Sequence, residues 1–534
     1  MCAIVPLLGD VDAVVARAAA QALGAIGSEA SLDALVNALK QSSPGLDTAI
    51  AQILVGAASS AAPRDPGQAT RLFQTVYDWT QQDSQGRRAA IAGAALNGLM
   101  TTRPAAGLKI VQGMAGDKDP SRTRQAVQAA RSAASIEATW ALAQKLPVLD
   151  PAAQTQILGL IEEKEALTSQ EVLALVTDLL VTSPDEQVQL AAIGALARSE
   201  ASPAVKTLFE VAAGPRSAKQ EAALAALATM RGSAVRTILV EKCAGGQSNA
   251  RAVAMGLLAD RQDPGAKEIL FDYSEEADFE ISRAALQALT SIVDGRDAAA
   301  LVEILVTSSE GRLRDEAAKT LRSALAKTRD PEAAAELLVE RMQRAAAPEL
   351  GLALMALLNA VGGDLALHTV TEATQSSDAA HADRAIRTLC AWPDAEACPA
   401  LLQLAQDKNR SLAHHVLAIR GLVRLVRMAG GATDQEKVAF CLQVLDCARQ
   451  IEGRRLAISA LGTVPTRAST QSLLALAQDG DLRSEAALAA LRIAETTRRS
   501  DRSAARALAG QVLELDVSAD INQRARRIVE RRRR

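Results

Sequence analysis

Apolar side chains return at helical spacing along the whole chain. In residues 32–40 (LDALVNALK), Leu32, Leu35, Val36 and Leu39 fall at i, i+3, i+4 and i+7, which puts them on one face of a helix. Runs of the same kind occupy 204–214, 298–306 and 399–407. Each follows an alanine-rich segment, such as 17–28, 189–200, 220–233, 282–292, 455–465 or 484–495. Aligning these segments on their last apolar position gives a register of Leu23, Leu54, Leu96, Ala130, Leu160, Leu196, Leu227, Leu257, Leu289, Leu321, Leu358, Leu389, Leu422, Leu461 and Leu491. Successive steps run from 30 to 42 residues, the period of a supersecondary unit stacked many times. The unit is a helix, a Gly, Pro, Ser or Asp cluster, and a second helix. Alanine lets helices approach closely without loss of side-chain entropy. Runs of period two rich in β-branched residues do not occur, so no sheet is expected.

Composition narrows the core. Apolar residues make up 49% of the chain but aromatic residues only 2%, so Leu, Ala, Val and Ile must fill the interior, as suits thin two-helix layers. A chain of 534 residues is too long for one compact core, whereas a stack adds layers without limit because each touches only its neighbours. One continuous array over 1–534, of about fifteen repeats, is therefore expected. Its irregularities are a partial repeat at 1–12, insertions at 59–86 and 427–438, a longer connection at 325–332, and a basic terminal segment at 500–534. Val5–Leu8 reads as the second helix of a repeat whose first helix is missing, so the start is expected to be a truncation or an internal start site. The 500–534 segment is expected to close the stack as a complete end.

Candidate chemistry is sparse. His414 and His415 are adjacent, hence about 100° apart on a helix, and cannot chelate a metal as i, i+4 histidines do; His368 and His381 stand alone. Cys2, Cys243, Cys390, Cys398, Cys441 and Cys447 form no C-x-x-C pair. They are expected to be buried thiols acting as small hydrophobes, although a disulfide across the turn between Cys390 and Cys398 is geometrically open. The glycines of 24–27 end a helix and Gly362-Gly363 make a turn, so neither cradles a phosphate. No G-x-S-x-G elbow occurs, and the acid pairs Glu162-Glu163 and Glu275-Glu276 read as solvated. No cofactor, metal or catalytic constellation is expected.

Charge adds one asymmetry. The chain carries 59 basic and 62 acidic residues, a net −3, which disfavours general affinity for polyanions. Residues 449–534, however, hold 17 basic and 10 acidic residues, or +7, leaving −10 on the rest. The sharpest patch is Arg524, Arg526, Arg527 and 531–534, without aromatic interleaving for base stacking. The longest uncharged stretch, 48–63, is 16 residues long and short of a spanning helix. No signal peptide is visible, so a cytoplasmic location is expected, or a periplasmic or exported one if the start is truncated.

The pattern R-A-A-x-A-L-G-x-I-G-S followed by A-L-x-x-A-L, carried by residues 17–39, resembles HEAT repeats of the phycobilisome-lyase-like (E-Z) type. The D-x-D turns Asp10-Val11-Asp12 and Asp479-Gly480-Asp481 match that pattern too. Residues 391–406, 414–426, 453–465 and 484–495 are similar to the carboxy-terminal HEAT arrays of large planctomycete-type bacterial proteins. The resemblance implies an all-α, right-handed α-α superhelix of the HEAT/armadillo-like solenoid class. It also implies a non-enzymatic scaffold or adaptor that binds a protein or peptide on its concave face, lined by the second helices. Aromatic and histidine side chains are the candidate contacts: Tyr77, Trp79, Trp140, Tyr273, His414 and His415. Two alternatives stand beside this: an accessory array of a sugar-active protein resembling 3-keto-disaccharide hydrolases, and a nucleic-acid-binding protein using the basic end.

Overall fold

The computed structural model describes residues 3–41, 45–83, 87–115, 117, 120–132, 136–428, 431–478, 480–515 and 517–530. Every residue of the leucine register is in a helix of its own and is no more than 2% exposed. Among the described residues the secondary structure is helical throughout, with no strand. The chain is an all-α solenoid, built from helical hairpins packed on their neighbours.

Local sequence sets the helix ends. Asp12, Asp65, Asp150, Asp185, Asp278, Asp330, Asp378 and Asp501 each occupy an N-cap position and accept backbone N–H groups of the first turn, satisfying donors that have no partner inside the helix. Pro66, Pro151 and Pro331 follow three of these caps at the first helical position, where a missing N–H costs nothing. At the other end, Gly27 closes helix Ala13–Ile26 in the left-handed region (φ 62°) and donates its N–H to Leu23 O, the expected glycine stop. Of the two D-x-D turns, the first is formed by an Asp12 N–H donated to Asp10 Oδ1. Asp479 of the second lies outside the described residues.

The chain divides into two compact units, Met1–Asp263 and Pro264–Arg534. Within the first, helix Glu186–Leu196 packs against the first helices before and after it, Pro151–Glu163 and Ala218–Thr229. Within the second, Ala379–Cys390, Leu412–Arg427, Ile451–Leu461 and Arg483–Thr497 follow the same rule in succession. The second helices complete each hairpin from one side; Cys398–Gln406 packs on Leu412–Arg427 and on Asp434–Cys447. Each fully buried leucine of the register contributes about 1.5–3 kcal/mol by leaving water, and the register is one part of a larger core of buried Leu, Ala, Val and Ile side chains.

Several expected irregularities take specific forms. Residues 5–9 make a single 3₁₀ turn, Val5–Gly9, rather than a full second helix; only Leu8 in it is buried. The 59–86 stretch continues helix Leu46–Ala61 and then forms Pro66–Thr80, with 84–86 outside the described residues. In 427–438, residues 429 and 430 lie outside them, and Thr433 opens helix Asp434–Cys447 with a capping box closed by Glu436. The first helix around Leu358 is split into Pro348–Met355 and Leu358–Val361. The basic end forms Arg502–Glu514 and Ala519–Glu530; Arg531, Arg532, Arg533 and Arg534 lie outside the described residues.

Candidate interaction surface

The aromatic side chains singled out in the sequence are largely consumed by packing. Tyr77 and Trp79 are buried on helix Pro66–Thr80. The Tyr77 hydroxyl donates to Met114 Sδ at 3.4 Å, and burial pushes its ionisation upward. Trp79 carries the Arg88 guanidinium 3.7 Å above its ring. That same guanidinium donates to Trp79 O and to the buried Asp47 carboxylate, 2.9 Å away. Stacking and bidentate bonding are both suited to the planar guanidinium, so this constellation locks one hairpin to the next. Trp140 is half-buried and donates its indole N–H to Ala166 O at 2.9 Å. Tyr273 is half-buried near the end of helix Ala266–Ser274.

The two adjacent histidines point to different partners. His414 is bonded to Asp383 Oδ1 at 2.9 Å, and the other oxygen of Asp383 accepts from Arg387 Nε at 2.7 Å. Asp383 is held below the usual carboxylate range, first by Arg387 and then by His414. His415 is buried: its Nδ1 lies 2.9 Å from Ala405 O, and its Nε2 accepts the Arg449 N–H at 3.2 Å. A carbonyl on one nitrogen and a donor on the other select the neutral Nδ1–H tautomer. Burial holds the His415 pKa low. The imidazole thus ties three segments together and has no nitrogen left for a metal or substrate.

Thiol chemistry is suppressed by burial as well. Cys243, Cys390 and Cys441 are pushed up to about 12 and Cys398 to about 11, far from the thiolate range a nucleophile needs. Cys390 and Cys398 are free thiols, and Cys2 lies outside the described residues. Among the described residues no group of three or more His, Cys, Asp and Glu side chains could hold a metal ion. No single helix among them is long and apolar enough to cross a membrane.

A set of residues that sequence reasoning missed links neighbouring repeats. Arg261 donates to Leu227 O and Met230 O at 2.7 and 2.6 Å, and its Nε pairs with Asp263 at 2.9 Å. Lys327 reaches Ser291 O and Val293 O, and Arg424 reaches Cys390 O and Trp392 O. In each case a cation in the last turn of one first helix or just beyond its end caps the carbonyls that end the preceding first helix. Those carbonyls carry the negative end of the helix dipole and have no intrahelical donor. The only signal in the sequence is a cation late in a first helix, which many solvated residues share.

What the hairpins turn outward is different. From Ala418 to Arg427 the exposed positions are Arg420, Arg424 and Arg427 alone, at i, i+4 and i+7 of one helix face. Between them and the next first helix lies a cavity of about 240 Å³, lined by Arg420, Val423, Arg424, Arg427 and Leu456. Larger concavities of about 500 and 730 Å³ lie at the turns around Asp294 to Leu337 and along Gln21 to Gln68. The first is rimmed by Asp294, Arg296, Lys327 and Asp330, with Asp294 and Arg296 bonded to one another.

One family profile and a set of solved structures are similar to the chain. The sequence profile of the PBS lyase HEAT-like repeat matches residues 15–41, which hold helices Ala13–Ile26 and Glu29–Leu39 almost entirely. No curated protein sequence matches the chain. Solved structures similar to it include Kap121p bound to Pho4p, at 12% identity and a TM-score of 0.35, covering 99% of this chain and 58% of that one. Kap95p in a complex with RanGDP is similar at 13% identity and a TM-score of 0.34, over 99% and 83% of the two chains. Importin beta follows at 14% identity and a TM-score of 0.32, over 99% and 72%. The chain thus spans 58% of the length of the Kap121p chain it matches. Superpositions at such TM-scores are loose, and the fold rests on the hairpin packing described above: the protein is an all-α helical-repeat solenoid that carries a PBS lyase HEAT-like repeat at residues 15–41.

Proposed function

We propose that the chain is a non-enzymatic scaffold or adaptor that docks a protein or peptide on the exposed faces of its stacked hairpins. The observation that carries this reading is how its reactive side chains are spent. His415, Tyr77, Trp79 and the buried thiols all serve packing or inter-repeat bonding. What is left outside, on four consecutive first helices of the second unit, is an exposed arginine in each, Arg384, Arg420, Arg455 and Arg492, a geometry that offers several weak contacts along a path rather than one enclosed reaction site. The outward arginines of Leu412–Arg427 support the first-helix face over the second-helix face expected from the sequence.

Photo-crosslinking tests this directly. A benzophenone amino acid is placed at exposed first-helix positions (Arg384, Arg420, Arg492) and at exposed second-helix positions (Lys206, Glu336, Gln403), and each variant is irradiated in cells. Discrete adducts to the same protein from the first-helix positions are expected. Adducts from the second-helix positions alone would overturn the assignment of the face. The absence of a protein adduct at every position would overturn the scaffold reading itself.

A further inference from the structure

We infer that the outward face of Leu412–Arg427, together with Arg492, is a docking site for an acidic peptide segment that carries apolar residues between its carboxylates; this rests on the scaffold reading above. The inference starts from charge that the fold leaves uncompensated. Arg427 donates to Ser459 Oγ at 2.7 Å, and Arg492, from the first helix one repeat beyond, approaches the same oxygen at 3.4 Å. The two guanidinium nitrogens are therefore no more than 6.1 Å apart, with one neutral hydroxyl between them. Like charges that close repel one another. They are brought together here by elements that pack for other reasons.

Two carboxylates of the neighbouring first helices are already committed, and the exposed Glu452, on the helix that carries Leu456 and Ser459, makes no ion pair with these arginines. Glu485 pairs with Arg455 at 2.8 Å. Glu495 accepts both Nε and a terminal nitrogen of Arg524 in a fork, the strongest geometry for such a pair. Arg424 spends its donors on Cys390 O, Trp392 O and Met428 Sδ, which do not neutralise it. Among the described residues no carboxylate pairs with Arg420, Arg424, Arg427 or Arg492. Arg420 to Arg427 covers about 10 Å of helix at 1.5 Å per residue, the span of about three residues of an extended peptide.

The floor of the patch decides the kind of anion. Val423 and Leu456 line the cavity between the guanidinium groups, so an occupant gains by placing an apolar side chain there while its carboxylates meet the rim. No exposed aromatic ring lines the cavity, and a stacking platform is what single-stranded nucleic acid requires. An acidic, partly apolar peptide matches both features.

The test uses the full chain and a fluorescent peptide of about twelve residues repeating Glu-Asp-Leu, followed by anisotropy at about 50 and about 300 mM salt. The variant R420E/R427E/R492E leaves the structural Arg424 in place. The control R198E/R231E/R236E makes the same charge change on exposed residues of the other unit. Saturable, salt-sensitive binding is expected, weakened at least about tenfold by the first triple variant and unchanged by the control. Equal loss in both variants would overturn the site, as would equal binding by an all-Glu peptide, because the apolar floor would then contribute nothing. Tighter binding of a single-stranded oligonucleotide of equal charge would overturn the peptide assignment. No binding of the peptide, with protein adducts still forming in the photo-crosslinking scan, would refute this site and leave the scaffold reading standing; failure of both would refute both. Unchanged helical circular dichroism in each variant shows that folding is not the cause.

Discussion

The close approach of first helices at Gly462 gives a sharp quantitative test of the packing. A Cβ built at Gly462 would come within 2.8 Å of Ala489 Cβ, 2.9 Å of Ala489 Cα and 3.1 Å of Ala489 O. Carbon atoms normally rest about 3.5–4.0 Å apart, so Gly462→Ala must part Ile451–Leu461 and Arg483–Thr497 by about 0.7–1 Å. No rotamer change can relieve this, because two of the three atoms belong to the backbone. Overpacking of this kind costs about 1–3 kcal/mol. Opposing it, the residue lies at φ −63°, where alanine is unstrained and lowers the entropy of the unfolded chain by about 0.4–1 kcal/mol. The net expectation is a loss centred on about 1.3 kcal/mol and reaching about 2.6 kcal/mol. Gly510 provides the contrast. It lies inside helix Arg502–Glu514 with nothing within 4 Å of its Cβ position, so Gly510→Ala is expected to stabilise by about 0.5–1 kcal/mol. Urea unfolding followed by far-UV circular dichroism measures both. Amide exchange over 451–461 and 483–497 locates the damage to that pair of helices. If Gly462→Ala were as stable as the parent chain, the close approach of these two helices would be refuted.

Four further outcomes follow from named contacts. Leu196→Ala should cost about 2–5 kcal/mol by opening a cavity at a fully buried register position, whereas Ala130→Leu, at the one register position held by alanine, should cost about 1–3 kcal/mol by overpacking; thermal unfolding separates the two. Arg261→Met should cost about 3 kcal/mol in urea unfolding, because it strands the largely buried Asp263 carboxylate, 11% exposed, and two helix-end carbonyls. For His415, whose folded pKa is held low by burial, the neutral form is the stable one. Its contribution is complete above the unfolded value near 6.5 and falls away as the pH drops toward the folded one, by at most about 2 kcal/mol at pH 5. The loss of stability between pH 7.5 and pH 5 should therefore be shallower in His415→Gln than in the parent chain. Finally, Cys243, Cys390, Cys398 and Cys441 should resist a water-soluble disulfide reagent at pH 8 until the chain is unfolded, since burial keeps them protonated; fast labelling of the native chain at these four would contradict their placement.

The leucine register was legible in the sequence because it depends only on local periodicity and on the need of each hairpin for a neighbour. All of its positions, including Ala130, are buried. The helix starts were legible for a similar reason, since an aspartate cap acts within three residues of itself. Two other features were not. The staples Arg261, Lys327 and Arg424 depend on which carbonyl, 31 to 36 residues away, a cation reaches, and a composition of charged helix ends does not encode that choice. The patch at Arg420, Arg427 and Arg492 was half-visible. The count of +7 over 449–534 takes in Arg492 but not Arg420 or Arg427, and which arginines keep a free charge depends on Glu485 and Glu495 being taken by Arg455 and Arg524 in neighbouring helices. Conversely, Trp79 and His415 looked like surface contacts because a sequence shows the residue type and hides its burial.

The central proposal is that successive hairpins within a unit dock a protein partner along their first helices. Amide exchange of the full chain with and without the protein recovered by photo-crosslinking tests it most directly. The account predicts protection that recurs along the first helices at the spacing of the leucine register, about one band per 30 to 40 residues over several consecutive repeats. Protection confined to a single cavity, such as the one between Asp294 and Leu337, would contradict it.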